Sequence, residues 1–338
     1  MRCCTYILIA LSMLLHVEKT NAQVDPHFSQ YYAYPLYLNP AFTGVIGGDY
    51  RATAIYKNQW LSVGKPYSTA GISLDMTTFS GLNIGLNVFQ QTAGDGGYRY
   101  TQGSVSVSYQ GLHFDEEGYQ RVIFGLQLGF INRRFDISKL RFGDQWAPGL
   151  HINGDPTLPT SEIFSKSSAS AVDNAAGIAY ADDRPDKMVN VFGGFSMNHL
   201  TRPEDPFLVA GEKKKLPYRY TYHGGARIKM ENGTSITPHF IYMRQGNAEE
   251  RTFGFFVRKP TTKEEVYLLG GISYRYKDAF IPYAGIQFSK VQMGLSYDAT
   301  SSSLGRSIVF TNSFELSITV IGRRPEEKRR YFECPPRF

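Results

Sequence analysis

Residues 82–89 read LNIGLNVF, and two kinds of side chain alternate along them. One set of alternate positions is apolar: Leu82, Ile84, Leu86 and Val88. The positions between them are mostly polar or glycine: Asn83, Gly85, Asn87 and Phe89. Successive side chains of a β-strand point to opposite faces, so this stretch predicts a strand with one apolar wall and one largely polar wall.

The same period-two alternation recurs along the chain, for example in residues 101–111, 121–130, 291–298 and 308–320. Many such segments are about 10 residues long, which is enough for a tilted strand to cross a bilayer. Counting plausible strands from Asp49 to Ile321 gives about 14, and single-chain bacterial outer-membrane barrels have an even number. The pattern predicts an all-β fold, a transmembrane antiparallel outer-membrane β-barrel whose apolar wall meets lipid.

A soluble β-sandwich also shows alternating strands and is the competing fold. The barrel is favoured because the strands are long and numerous and no second packed layer is evident in the sequence. Tyrosines near the predicted strand ends suit aromatic girdles at the two membrane interfaces. They are Tyr56, Tyr98, Tyr119, Tyr267, Tyr276 and Tyr283.

Composition argues against a helical membrane protein and against a nucleic-acid-binding protein. Residues 1–22 resemble a signal peptide, with Arg2 before a short apolar run and the small residue Ala22 at its end. No apolar run of 18 residues follows it, which argues against a helical membrane protein. The net charge of +6 is dispersed except near the C-terminus, so no nucleic-acid footprint is evident. Cys334 is the one cysteine beyond residue 22, which leaves no internal disulfide to form.

The predicted organisation has four parts. Residues 1–22 form the signal peptide, residues 23–47 an N-terminal segment, residues 48–322 the barrel, and residues 323–338 a basic periplasmic tail. Two stretches interrupt the strand pattern and are predicted loops, residues 139–173 and residues 201–217. The second loop carries the basic run Lys213, Lys214 and Lys215.

No catalytic constellation is evident, so we expect no enzyme activity, no cofactor and no metal. The chain has no G-x-S-x-G, H-E-x-x-H or P-loop motif. Beyond residue 22, six histidines are scattered and are interpreted as ordinary polar positions: His27, His113, His151, His199, His223 and His239. Asp144 and Asp298 are candidate lumen charges with a structural role.

The N-terminal segment contains the stretch QVDPHFSQYYAYPLYLNPAFTG, residues 23–44. Pro26, Pro35 and Pro40 prevent a continuous helix. Asn39 and Pro40 together are a turn signal just before the first strand. Because the stretch is also rich in aromatic rings that can pack on an inner wall, we interpret it as a short plug or lid in or under the barrel.

This stretch resembles the N-terminal signature of the PorP/SprF family of outer-membrane proteins. The matching residues are Asp25, Pro26, Phe28, Ser29, Gln30, Tyr31, Pro35, Asn39, Pro40, Ala41 and Gly44. Val24, inserted between Gln23 and Asp25, departs from the pattern. Shorter elements follow in family order, including Asn58-Gln59-Trp60, residues 193–203 and the ending FECPPRF at residues 332–338.

The resemblance implies a non-enzymatic outer-membrane barrel of the type IX secretion system in a Gram-negative bacterium. Implied partners are outer-membrane lipid, secreted cargo with a C-terminal sorting domain, such as a gliding adhesin, and other secretion components. Candidate partner-binding or plug residues are the signature positions from Asp25 to Pro40, with Trp60 and the basic run at residues 213–215. The alternative is a channel or transporter for small or hydrophobic solutes.

Overall fold

The computed structural model describes residues 25–60, 66–78, 81–94, 96–140, 142–145, 158, 160–161, 167–204, 215–301 and 312–324. Within these residues, 14 strands form a closed barrel in which sequence neighbours pair antiparallel and β1 pairs with β14. The predicted all-β barrel and its strand number are confirmed. No helix in these ranges is long and apolar enough to cross a membrane.

The strands are β1 (Tyr50–Gln59), β2 (Tyr67–Thr77), β3 (Leu82–Ala93), β4 (Tyr98–His113), β5 (Gln120–Arg134), β6 (Ser168–Asp182), β7 (Val189–Asn198), β8 (Arg219–Lys229), β9 (Ser235–Gln245), β10 (Ala248–Pro260), β11 (Val266–Arg275), β12 (Ala279–Phe288), β13 (Val291–Thr300) and β14 (Ser313–Gly322). The connections alternate between two rims. The long-loop rim carries the connections at residues 135–167, 199–218 and 301–312, with the turns after β1, β3, β9 and β11. The terminal rim carries the remaining turns, the start of β1 and the end of β14.

The two faces of each strand differ as the alternation predicts. On β3, Leu82 is 51% exposed and Leu86 is 45% exposed, while Asn83 and Asn87 are buried. On β4, Val105 and Val107 are exposed, and the serines between and beside them are buried. Apolar side chains therefore cover the outer surface of the barrel, and polar side chains with glycines line the lumen.

The N-terminal segment, described from Asp25 onward, lies inside this lumen. It forms a 3-10 turn (Tyr31–Ala33), one turn of α-helix, α1 (Pro35–Leu38), and a second 3-10 turn (Pro40–Phe42). Pro35 and Pro40 each occupy the first position of a turn, where no backbone N–H is needed. The Asn39 side chain accepts a hydrogen bond from the backbone N–H of Ala41 at 2.9 Å and so caps the last turn.

Three sequence expectations need correction. The loop predicted at residues 139–173 ends earlier, because β6 begins at Ser168 and its small side chains pair with the long strand β5. Tyr283 does not join a girdle, since it is only 8% exposed and its ring contacts Tyr32 inside the barrel. Tyr98 and Tyr267 also face the lumen, because Tyr98 packs against the buried cluster that contains Phe28 and Tyr267 precedes the outward-facing Leu268 on β11. Asp144 is not a lumen charge. Its carboxylate is exposed in the long β5–β6 connection and accepts hydrogen bonds from Ser161.

Several predicted features lie outside the described residues. They are the signal peptide at residues 1–22, Gln23 and Val24, Lys213 and Lys214, the beginning of the strand predicted at residues 308–320, and the tail beyond Arg324 with Cys334.

Candidate functional site

The structure brings most of the candidate residues together in the lumen. Nine of them are buried there: Asp25, Pro26, Phe28, Ser29, Gln30, Tyr31, Pro35, Asn39 and Pro40. Trp60 lies apart, at the long-loop rim after β1, where its ring packs edge-on against Tyr67 at 5.2 Å. Lys215 lies on the same rim, exposed, and forms a β-bridge with Glu204.

The chain of the N-terminal segment runs from the long-loop rim to the terminal rim. Asp25 lies near the ends of β8 and β9 at the long-loop rim, where its N–H donates to the Gln245 side chain at 3.2 Å. Near the other end, the N–H of Gly44 donates to Asp75 on β2 at 2.8 Å. Arg51 bonds Asp75 and the carbonyl of Phe42, which fixes the exit of the segment into β1. The segment therefore spans the length of the lumen.

A buried group of charges holds the beginning of the segment. We call it the Asp25 cluster: Asp25, Asp173, His199 and Arg219. His199 Nε2 donates to Asp25 Oδ2 at 2.5 Å, and its Nδ1 lies 3.1 Å from Asp173 Oδ2. Arg219 Nη1 donates to the same Asp25 oxygen at 3.0 Å. With a carboxylate at each ring nitrogen, the protonated imidazolium is the form that satisfies both contacts.

The electrostatics of this cluster favour its charged form. Burial alone would lower the pKa of His199, but the charge of Asp25 and the hydrogen bonds to Asp173 and Asp25 raise it from 6.5 to about 9. Burial would raise the pKa of Asp25, but His199 and Arg219 hold it well below its ordinary value. At neutral pH both groups are therefore charged. His199 also has a φ of 62°, a left-handed conformation that this packing holds in place.

A second group of buried charges binds the next residues. The Ser29 cluster consists of Ser29, Gln30, Lys57, Arg275, Asp298 and Glu315. The backbone N–H groups of Ser29 and Gln30 each donate to one oxygen of Glu315 at 2.7 Å. The Ser29 hydroxyl donates to Asp298 at 2.7 Å. Lys57 lies 3.5 Å from Asp298 and 3.9 Å from Glu315, and Arg275 donates to Asp298 at 3.1 Å.

Lys57 and Arg275 supply positive charge to these carboxylates. Asp298, which the sequence identifies as a lumen charge, does lie there. Buried carboxylates are costly unless they are paired and fully hydrogen-bonded, and here the backbone of the segment supplies part of that bonding. Without the segment, the carboxylates of Asp298 and Glu315 would lose these hydrogen bonds.

Glycines on the inner wall let the segment approach the strands closely. A Cβ added to Gly125 would collide with the backbone of Pro40 and Ala41, and one on Gly177 would collide with the Asn39 side chain. Asn39 Nδ2 donates to the carbonyl of Ile178 at 3.1 Å. The glycines of the polar wall thus have a packing role, since they leave room for the backbone of the segment.

Aromatic rings complete the contact on the side of β9 to β12. The Tyr31 hydroxyl forms a hydrogen bond with His239 Nδ1. The His239 ring stacks on Phe256 with centroids 4.2 Å apart and an interplanar angle of 9°. Tyr32 packs edge-on against Phe256 at 4.1 Å. Since Tyr34 on the opposite side donates to carbonyls of β2 and β3, the segment contacts strands all around the wall.

The chemistry of the site is that of an anchored segment. In both clusters the charged side chains form ion pairs with one another or accept hydrogen bonds from the backbone of the segment. Among the described residues, no group of three or more histidine, cysteine, aspartate or glutamate side chains could hold a metal ion.

Sequence reasoning missed several residues of this site: Lys57, His199, Arg219, Arg275 and Glu315. A local signal was available for some of them. Glu315 lies between Phe314 and Leu316, so it occupies a lumen position of an alternating strand. A charge at such a position needs a partner inside the barrel. The identity of that partner depends on the fold, because Ser29 and Glu315 are far apart in sequence.

Comparison with solved structures supports the fold. The chain is similar to the toluene transporter TbuX of Ralstonia pickettii, with a TM-score of 0.51 and 10% sequence identity, covering 87% of this chain and 94% of that chain. It also matches the P. putida toluene transporter TodX (TM-score 0.48, 8% identity, 85% and 93% covered). The monoaromatic hydrocarbon channel CymD matches with a TM-score of 0.48 and 11% identity, with 86% and 93% covered. At 10% identity, the likeness to TbuX concerns the fold alone.

Comparison of the sequence gives a more specific result. A family model described as "Type IX secretion system membrane protein PorP/SprF" matches residues 20–320. The match includes the N-terminal segment and the barrel as far as Val320 in the last strand. No curated protein sequence matches the chain.

Proposed function

The chain belongs to the PorP/SprF family of type IX secretion system membrane proteins, and on this premise we propose that it supports the export or surface attachment of particular cargo proteins. It acts as a non-enzymatic component in the outer membrane of a Gram-negative bacterium. Its cargo carries a C-terminal sorting domain, as gliding adhesins do. Its other partners are outer-membrane lipid and further components of the secretion system.

The observation that carries this proposal is the occupied lumen. Tyr34, Leu36 and Ala41 of the N-terminal segment are fully buried between the strands, and the Asp25 and Ser29 clusters bind its beginning. A segment so held acts as a plug, so the barrel serves as a scaffold rather than an open pore. Partners then bind at the rims.

The long-loop rim is the proposed site of cargo docking. Long loops of outer-membrane barrels face the cell exterior, and loops on a rigid scaffold commonly carry recognition. The connections at residues 135–167 and 199–218 are the longest on this rim. Trp60 and Lys215 belong to the same rim and are candidate contacts, together with Lys213 and Lys214, which precede Lys215 in the sequence.

The test of this proposal compares the cell-surface and secreted proteomes of the parent strain with those of a strain lacking the gene. We expect one or a few proteins with type IX sorting domains to disappear from the surface and accumulate inside the cell. An unchanged surface proteome together with reduced uptake of a solute would refute export and indicate a transporter.

The plug is tested separately in planar bilayers. A variant lacking residues 25–44 is expected to show a conductance that the full chain lacks. A deletion variant that forms a barrel without new conductance would show that the segment does not seal the lumen. A variant lacking an equal number of residues from the β5–β6 connection serves as the control.

A further inference from the structure

On the terminal-rim side of the two charge clusters, the lumen contains a cavity of about 320 Å³. It lies between the N-terminal segment and the inner wall from β6 to β10, and the residues at its mouth belong to the terminal rim. Six rings form much of its lining: Tyr31, Tyr32, Phe42, Phe192, His239 and Phe256. A cavity of this size and lining is typical of a site for a small organic molecule.

Four charged side chains line the mouth, and three of them have partners. Arg51 bonds Asp75, Asp182 bonds Arg184, and Asp183 bonds Arg121. The fourth is Arg227, near the end of β8. It is exposed and forms no ion pair or side-chain hydrogen bond with any residue of the described ranges. The mouth therefore presents one uncompensated positive charge beside an aromatic cavity.

We propose that this cavity binds a small organic acid, in which one carboxylate is attached to an aromatic or compact apolar group. The apolar group lies against the rings of Tyr32, His239 and Phe256, which pack on one another through edge-to-face and stacked contacts and form an aromatic wall of the cavity. The carboxylate bonds the guanidinium of Arg227, whose planar fork matches it. This binding site is distinct from cargo docking at the opposite rim.

The charge at the mouth favours a carboxylate over a phosphate. A single guanidinium balances one negative charge, and the neighbouring Asp182 and Asp183 disfavour a second one. The volume also favours a free molecule over a folded partner, because it is at the lower end of the range for small-molecule sites.

The experiment is isothermal titration calorimetry of the full chain in lipid nanodiscs with hydrocinnamate and its neutral amide, hydrocinnamide. Hydrocinnamate is expected to bind about tenfold more tightly than the amide, since the amide carbonyl can still accept a hydrogen bond but carries no negative charge to pair with the Arg227 guanidinium. Arg227→Gln should weaken hydrocinnamate binding by about the same factor. Thr237→Phe, which places a ring in the cavity, should abolish binding.

Arg258→Gln is the matched control, because Arg258 lies near the end of β10 on the same rim but does not line the cavity. It should leave the affinity unchanged. Equal affinity for acid and amide, or binding that survives Thr237→Phe, would overturn the proposal. So would tighter binding of a peptide with a C-terminal phenylalanine than of hydrocinnamate. Binding of hydrocinnamate only to a chain truncated after Arg324 would also overturn the proposal, because the chain's own C-terminal residues would then be the occupant of the cavity.

Discussion

The imidazolium of His199 should make a large, pH-dependent contribution to stability. Its pKa is raised from 6.5 to about 9 in the folded chain, and a difference of this size corresponds to about 3 kcal/mol. Because the pKa is raised on folding, the contribution is fully present below pH 6.5 and is lost as the pH rises through about 9. His199→Gln removes the titrating charge while keeping a polar side chain of similar reach.

The assay is the free energy of unfolding in urea, measured for wild type and His199→Gln from pH 6 to pH 10. Taking the difference at each pH cancels the titration of all other groups. We expect wild type to be more stable by about 3 kcal/mol at pH 6, and this advantage to fall toward zero at pH 10. His113→Gln is the control, since His113 is exposed at the opposite rim. A difference between wild type and His199→Gln that stays constant with pH would refute the reasoning.

Three further substitutions test other parts of the site. Gly125→Val should displace the segment, because the added side chain occupies the space of Pro40. We expect new conductance in planar bilayers. A variant barrel that shows no conductance would contradict this prediction. Lys57→Met removes a buried counter-charge from Glu315 and should lower the free energy of unfolding by about 3–5 kcal/mol, whereas a change below about 1 kcal/mol would show that Lys57 is not needed there. Asn39→Ala loses both the cap of the last turn and the hydrogen bond from Nδ2 to the Ile178 carbonyl, and should lower the free energy of unfolding by about 2 kcal/mol in the same urea assay. Unchanged stability would show that neither bond contributes.

The barrel itself was predictable because its signal is local. The alternation in residues 82–89 identifies both walls of β3, and repetition along the chain gives the number of strands. Tyr283 shows the limit of this reasoning. Its position was compatible with a girdle, and the aromatic surface of Tyr32 and Phe256 that buries it comes from distant parts of the chain.

The site was less predictable, because the residues that contact the N-terminal segment are distant from it in sequence. The prolines and rings of the N-terminal segment indicate a stiff piece of chain that packs on something, and Asn39 with Pro40 indicates a turn. The partners of these residues come from distant strands, as the contacts of Asp25 with Arg219 on β8 and of Ser29 with Glu315 on β14 show. The start of β6 at Ser168 was also not predictable, because Ser168 and its small neighbours carry little strand signal by themselves.

The pairing of β1 with β14 has a consequence for the order of assembly. Glu315 is on the last strand, and its carboxylate is satisfied by the backbone of Ser29 and Gln30. If β14 joined β1 around an empty lumen, that carboxylate would be buried without these donors. A closed wall would also leave the segment only a lengthwise route into the barrel. The contact between the last strand and the first is therefore stabilised when Ser29 and Gln30 already lie inside the wall.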